Sequence, residues 1–87
     1  MTALKLTLHR KPFSQIAAGT KKIEYRGKKP YWKTRIENRD YDEIHFRNGY
    51  GSTRPFMRVK YLGYYDDGQY CLHLGKILEI RNYQLNL

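Results

Sequence analysis

Segments in which every second residue is apolar recur along this chain, and they constrain its fold more than any other feature. At residues 4–8, leucine alternates with lysine and threonine, which is the period of a strand with one buried face. Further strand patterns follow at residues 22–26, 43–47, 56–65, 69–74 and 77–80. The sequence therefore predicts five or six strands.

One main helix is predicted after the first strand, at residues 12–18. Pro12 suits the first turn of a helix, because the N–H that it lacks would be unpaired there. Phe13 and Ile16 fall on one helical face and are expected in the core, and Gly19 favours the end of the helix. A second, short helix is predicted at residues 30–36.

Turn residues separate the later strands and define the expected fold class. Asn-Gly, Gly-Ser and Pro mark a loop at residues 48–55, and Asp-Asp-Gly at residues 66–68 predicts a hairpin. Gly75 interrupts the last pattern, so residues 77–80 are predicted to add an edge strand. In one domain, residues 1–87, these elements predict an α+β, mostly β fold. It is a small curved sheet or β-barrel, and closure into a barrel removes exposed strand edges.

Several features bear on the compartment. No run of about 18 apolar residues occurs, so no transmembrane helix is expected. Residues 1–11 lack the apolar core of a secretion signal. Cys71 is the single cysteine, which excludes an internal disulfide and fits a reducing environment. We expect a soluble, cytoplasmic monomer that does not contact membranes.

The positive charge of the chain is uneven. The net charge is +9, and residues 1–60 carry 15 Lys and Arg against 5 Asp and Glu. Glu24 is the only acid among ten bases in the first 36 residues. This asymmetry predicts a polyanionic partner, namely RNA or a nucleotide-like ligand, with DNA as an alternative. The other interpretation is a solvated basic surface that keeps the protein in solution.

A local motif points to a known family. Residues 19–26, GTKKIEYR, follow the pattern G-x-K-x-x-E-x-R, with Gly19, Lys21, Glu24 and Arg26 at its fixed positions. The pattern resembles that of ASCH domains of the PUA-like superfamily, and here it follows a strand and a short helix, as it does in that family. Residues 29–32, 46–50 and 74–77 look like blocks of small bacterial and phage ASCH proteins. The resemblance covers nearly the whole chain.

The resemblance implies a PUA-like β-barrel with a cleft between the barrel and the early helix, and it implies RNA or modified-nucleoside ligands. Some similar members are amidohydrolases that act on acylated cytidine through a threonine activated by a lysine. Lys21 matches the lysine, but Glu24 stands at the nucleophile position, so this chain departs from that chemistry. Other members have been linked to RNA cleavage. A glutamate there can act as a general base, with Lys21 or Arg26 stabilising an oxyanion or a phosphate.

Seven residues form the candidate ligand-binding set: Lys21, Glu24, Arg26, Trp32, Arg47, Asn48 and Tyr50. Glu24 and Arg26 lie two apart on a strand and therefore share a face. A carboxylate accepts hydrogen bonds from base N–H groups or sugar hydroxyls, whereas Arg and Lys bind phosphate. The alternative is an internal salt bridge from Glu24 to Arg26 or Lys21.

The rest of the set combines a glycine-containing loop with aromatic rings. Arg47, Asn48 and Tyr50 end a strand and open a loop in which glycine allows close backbone approach and Asn can bind a base edge. An ordinary Asn-Gly turn is the alternative. Trp32, Tyr31 and Tyr50 are candidate surfaces for stacking bases, or parts of the core.

Catalytic and metal sites have less support. Cys71 and His73 are the only close pair among the cysteine and histidines, which does not fit the paired ligands of structural zinc sites. We expect no metal and no cofactor. The residues favour a nucleic-acid-binding module over an enzyme. The alternative is a small hydrolase acting on RNA or modified nucleosides, in which Lys21, Glu24 and Arg26 would be catalytic. A protein-interaction module is a third class, which no motif supports specifically.

Overall fold

The computed structural model describes residues 2–49, 51 and 53–83. These residues form five strands and two helices. In chain order the elements are β1 (Ala3–Thr7), α1 (Arg10–Ala17), β2 (Ile23–Gly27), α2 (Pro30–Ile36), β3 (Glu43–Arg47), β4 (Phe56–Asp66) and β5 (Gln69–Arg81). The predicted α+β, mostly β class is confirmed. No helix within these ranges is long and apolar enough to cross a membrane.

All five strands belong to one sheet, in the order β1-β3-β4-β5-β2. β1 and β3 are parallel, whereas the other neighbouring pairs are antiparallel. The β4–β5 ladder contains register shifts between Arg58 and Tyr64, and such irregularities increase strand twist. The sheet curls into a half-barrel that has β1 and β2 at its edges.

The predicted break at Gly75 is wrong. β5 continues to Arg81, and its second half pairs with β4 through Val59–Ile77 and Phe56–Arg81. Residues 77–80 therefore belong to one long strand, and this half of it pairs with β4 alone, because β2 pairs only with residues 69–73. A Cβ atom at Gly75 would lie 3.2 Å from the Leu62 side chain, so the glycine allows a close approach between strands at an irregular part of the ladder, as glycines in strands often do.

Helix α1 covers the concave side of the sheet. It begins at Arg10, before the predicted start at residue 12, and ends one residue before the predicted end. Phe13 and Ile16 are buried, as predicted. They pack in one cluster with Leu4, Leu6, Leu8, Ile36, Ile44, Phe46, Met57, Val59, Tyr70, Leu72 and Leu74.

The end of α1 directs the chain into β2. Gly19 has a φ of 83°, and its N–H donates to the Ile16 carbonyl while the Thr20 N–H donates to the Gln15 carbonyl. These two bonds form a Schellman motif, which ends a helix and requires a left-handed residue that glycine supplies at little cost. The Lys21 N–H also donates to the Gln15 carbonyl at 3.2 Å. The first residue of the GTKKIEYR segment thus sets the position of the rest.

Candidate functional site

The residues Lys21, Glu24 and Arg26 come together at the start of β2, and we call them the Glu24 cluster. β2 pairs with β5 so that Glu24 lies beside Leu72 and Arg26 beside Tyr70. Leu72 and Tyr70 are core residues, so Glu24 and Arg26 point to the concave side of the sheet. The prediction that they share a face is confirmed.

Glu24 is only 6% exposed, and both cations of the cluster contact it. Arg26 Nη1 donates to Glu24 Oε2, and Lys21 Nζ lies 3.3 Å from Glu24 Oε1. The lysine approaches Oε1 within ion-pair distance but outside hydrogen-bond geometry, so this buried oxygen accepts no hydrogen bond from the described residues. The internal salt bridge of the sequence interpretation is therefore present, and one carboxylate oxygen retains its capacity to accept.

A line of two rings between two cations leads away from the cluster along α2, and we call it the Tyr31 ladder. Arg26 Cζ lies 5.2 Å from the Trp32 ring centroid, and the Trp32 and Tyr31 rings meet edge to face at 4.8 Å. Arg35 Cζ lies 3.5 Å above the Tyr31 ring. Trp32 is partly buried against the core, whereas Tyr31 is 56% exposed. The ladder therefore connects a buried carboxylate to an accessible aromatic surface.

The helix geometry explains the outer end of the ladder. Tyr31 and Arg35 are four residues apart on α2, a spacing that places side chains next to each other on a helix. Arg35 Nη1 also donates to the Tyr31 carbonyl at 3.0 Å. The sequence set included Trp32 but not Arg35, although the aromatic-to-arginine spacing of four was a usable signal. A guanidinium over a ring presents a flat cation on which a base can stack.

A second polar network lies beside the cluster, around Tyr70 of β5. Tyr70 is fully buried, and its hydroxyl donates to Glu37 Oε2 at 2.6 Å. This hydrogen bond, together with desolvation, raises the pKa of Tyr70 to about 12. Lys28 Nζ lies 4.8 Å from the Tyr70 ring centroid and forms an ion pair with Asp66. The network holds the start of β5 against the end of α2.

The remaining members of the predicted set lie elsewhere on the fold. Arg47 is on β3, with Cζ 4.7 Å from the Phe56 ring centroid, and it lines a cavity of about 460 Å³. The Asn48 amide donates to the Leu8 carbonyl at 3.0 Å, and Asn48 lines a different cavity of about 400 Å³. β3 lies between β1 and β4, whereas β2 pairs only with β5, so these two residues are on a different part of the sheet from Glu24. Tyr50 lies outside the described residues.

The described residues contain no group of three or more His, Cys, Asp and Glu side chains placed to hold a metal ion. Cys71 is free and buried. The functional groups of the Glu24 cluster and the Tyr31 ladder are thus one carboxylate oxygen, three cations and two rings. Such a set can accept hydrogen bonds, stack planar groups and neutralise phosphate.

The chain has no significant match to a family model, to a curated protein or to a solved structure.

Proposed function

We propose that the protein binds RNA, or a nucleotide-like ligand, at the Glu24 cluster and the Tyr31 ladder. The observation that carries the proposal is Glu24 Oε1, which is buried without a hydrogen bond from the described residues. Lys21 Nζ lies 3.3 Å from this oxygen and offsets part of the cost of burying it. A base N–H or a ribose hydroxyl of a ligand would donate to Oε1 once the Lys21 side chain, which is 22% exposed, moves aside.

The three kinds of group in this region match the three parts of a nucleotide. Glu24 can accept from a base or sugar, the exposed Tyr31 ring can stack a base, and Arg35 above that ring can stack or bind phosphate. A simple anion would use only the cations and would be repelled by the carboxylate. A purely apolar ligand would leave the charges without partners. A nucleotide therefore uses more of the observed groups than either.

Single-stranded or looped RNA fits the ladder better than a duplex. Its bases can leave the stack and lie on protein rings, whereas duplex RNA is bound mainly by its shape and backbone. Exposed Lys29 and Lys33 on either side of Tyr31 in the chain add charge that attracts a polyphosphate backbone. The net charge of +9 supports the same partner class.

We further propose that the half-barrel is a PUA-like ASCH domain acting in the cytoplasm. The GTKKIEYR segment supports the family, because it begins at the left-handed Gly19 after α1 and continues into β2, bringing its Lys21, Glu24 and Arg26 together. The family's cleft would then be the concave region at Glu24. The free cysteine, Cys71, supports a reducing compartment.

Two variants with the same charge change test the binding proposal. Arg35→Gln removes a cation from the ladder, and Lys76→Gln removes an exposed cation from β5. Fluorescence anisotropy with single-stranded RNA oligomers is measured over a range of salt concentrations. If about five phosphates are contacted, log K falls with log salt at a slope of about −3.5, and Arg35→Gln makes that slope shallower by about 0.7.

Lys76→Gln should leave the slope close to that of the wild type, because Lys76 lies outside the ladder. Affinity that does not change with salt would refute polyanion binding. Equal effects of the two variants would place the RNA elsewhere than on the Tyr31 ladder. Circular dichroism of each variant checks that the fold is retained.

A further inference from the structure

The convex side of the sheet carries a basic hollow around Phe56, which we call the Phe56 face. Phe56 alternates along β4 with the core residue Met57 and therefore points away from the core. Its neighbours around a cavity of about 460 Å³ include Lys5, His45, Arg47, Arg58 and Arg81. Five basic side chains from four different strands thus surround one aromatic ring.

Strand register brings these side chains together in two rows. Lys5 pairs with His45 and His45 with Arg58, which form the first row across β1, β3 and β4. Arg47 pairs with Phe56 and Phe56 with Arg81, which form the second row across β3, β4 and β5. The hollow is therefore built on paired strands, which position side chains more rigidly than loops do.

Phe56 is only 4% exposed although it faces away from the core. Arg47 Cζ lies 4.7 Å and Arg81 Cζ 4.3 Å from its ring centroid. The two guanidinium carbons are therefore no farther apart than the sum of these distances. Stacking on the ring restricts both arginines, so less conformational entropy is lost when they bind a ligand.

The acids of this region are largely committed to one arginine. Glu43 accepts from Arg58 through both carboxylate oxygens, at 2.9 and 2.8 Å, and Glu79 accepts from Arg58 Nε at 2.8 Å. Glu79 also pairs with Arg81 at 3.0 Å. Lys5 and Arg47 have no acidic partner among the described residues. Four permanent cations against two carboxylates leave an excess of two positive charges at the hollow.

We propose that the Phe56 face binds a phosphate group, held by Arg47 and Arg81 with Lys5 beside them. Guanidinium groups donate to phosphate oxygens in a planar, two-pronged geometry, and the excess charge matches the charge of about −1.5 to −2 on a phosphate monoester. The same chemistry is present in a free nucleotide and in the backbone of a nucleic acid. This site is separate from the Glu24 cluster and does not depend on the RNA proposal.

Phosphate titrations followed by amide NMR chemical shifts test this site directly. Inorganic phosphate and uridine 5′-monophosphate should both shift the amides of His45, Arg47 and Phe56, whereas uridine, which has no phosphate, should not. Arg47→Gln should weaken the binding of both phosphate ligands by about tenfold or more, as expected for a lost hydrogen bond between charged groups. Lys76→Gln is the matched charge control and should change these affinities less than twofold.

The source of the phosphate is resolved by adding single-stranded RNA. If the site binds a nucleic acid backbone, RNA displaces inorganic phosphate from the Phe56 face and Arg47→Gln makes the salt dependence of RNA binding shallower. If it binds a free nucleotide, Arg47→Gln weakens the binding of the monophosphate but does not change the salt dependence of RNA binding.

Glu24→Gln should leave phosphate shifts at the Phe56 face unchanged, so failure of the RNA proposal is distinguishable from failure of this one. The absence of shifts at His45, Arg47 and Phe56 with both phosphate ligands would overturn the proposal. Equal losses in Arg47→Gln and Lys76→Gln would also overturn it, because they would indicate attraction by the overall charge.

Discussion

Glu24→Gln removes one negative charge from the Glu24 cluster and keeps the size of the side chain. The side chains of Lys21 and Arg26 are 22% and 17% exposed, so solvent screens their ion pairs with Glu24 only in part. We estimate a loss of about 1–2 kcal/mol in the free energy of unfolding, within the range for hydrogen bonds to charged groups. For a domain of this size that corresponds to a decrease in Tm of about 5–15 °C.

The two explanations of the cluster predict effects on different properties of RNA binding, namely overall affinity and discrimination between bases. If Glu24 only neutralises Lys21 and Arg26, its replacement raises the positive charge and strengthens binding to every RNA sequence. If Glu24 Oε1 accepts from a base, the amide loses an acceptor oxygen. Discrimination for the preferred base then falls by about 1–3 kcal/mol, or about 5–150-fold.

The assay is fluorescence anisotropy with four single-stranded homopolymer RNA oligomers, well below the Tm of the variant and at one salt concentration. Asp67→Asn is the matched control, because Asp67 is an exposed acid at the β4–β5 turn and its replacement causes the same charge change. The site proposal predicts that Glu24→Gln loses preference among the four oligomers while Asp67→Asn keeps it. Uniformly tighter binding in both variants would remove Glu24 from the ligand site.

Two further predictions concern stability. Phe13→Ala should lower the free energy of unfolding in urea by about 3–5 kcal/mol, because the side chain is fully buried and packs on Tyr83 at 5.1 Å; a loss similar to that of the exposed control Leu78→Ala would contradict this. Hydrogen bonds from Arg58 and then His45 hold the pKa of Glu43 below its usual 4.5. The stabilisation by Glu43 is therefore complete above pH 4.5 and is lost as the pH falls towards the lowered value. Acid titration of Tm should show a smaller decrease for Glu43→Gln than for the wild type, and equal decreases would refute the role of this ion pair.

The parts of the fold that could be predicted from sequence are those set by neighbouring residues. Alternation of apolar residues predicted the strand at residues 43–47, which is β3, and the proline-led segment at residues 30–36 is α2. Glu24, Lys21 and Arg26 also lie within six residues of each other on one turn and one strand. Strand geometry brings Glu24 and Arg26 to one face, and the turn that follows α1 places Lys21 beside them. The local part of the candidate site was therefore accessible from the sequence.

Gly75 shows where local reasoning fails. A glycine within a run of strand residues is compatible with a strand end or with a close approach between strands, and the choice depends on the partner strand. Here Leu62 of β4 lies against Gly75, and register shifts in β4 accommodate the contact. The partner lies outside residues 69–81, so these residues alone do not reveal that they form one strand.

Strand order explains why the predicted ligand set divides into separate places. Arg47 and Glu24 are both in the basic part of the chain, but β3 lies between β1 and β4, whereas β2 lies at the sheet edge next to β5. Pairing between distant segments decides this order, and the charge pattern contains no information about it. The same pairing brings Lys5, Arg47 and Arg81 to one hollow. Binding of a polyanion to the whole protein would therefore combine two surfaces, and comparison of Arg35→Gln with Arg47→Gln separates their contributions, because each variant removes one cation from only one of them.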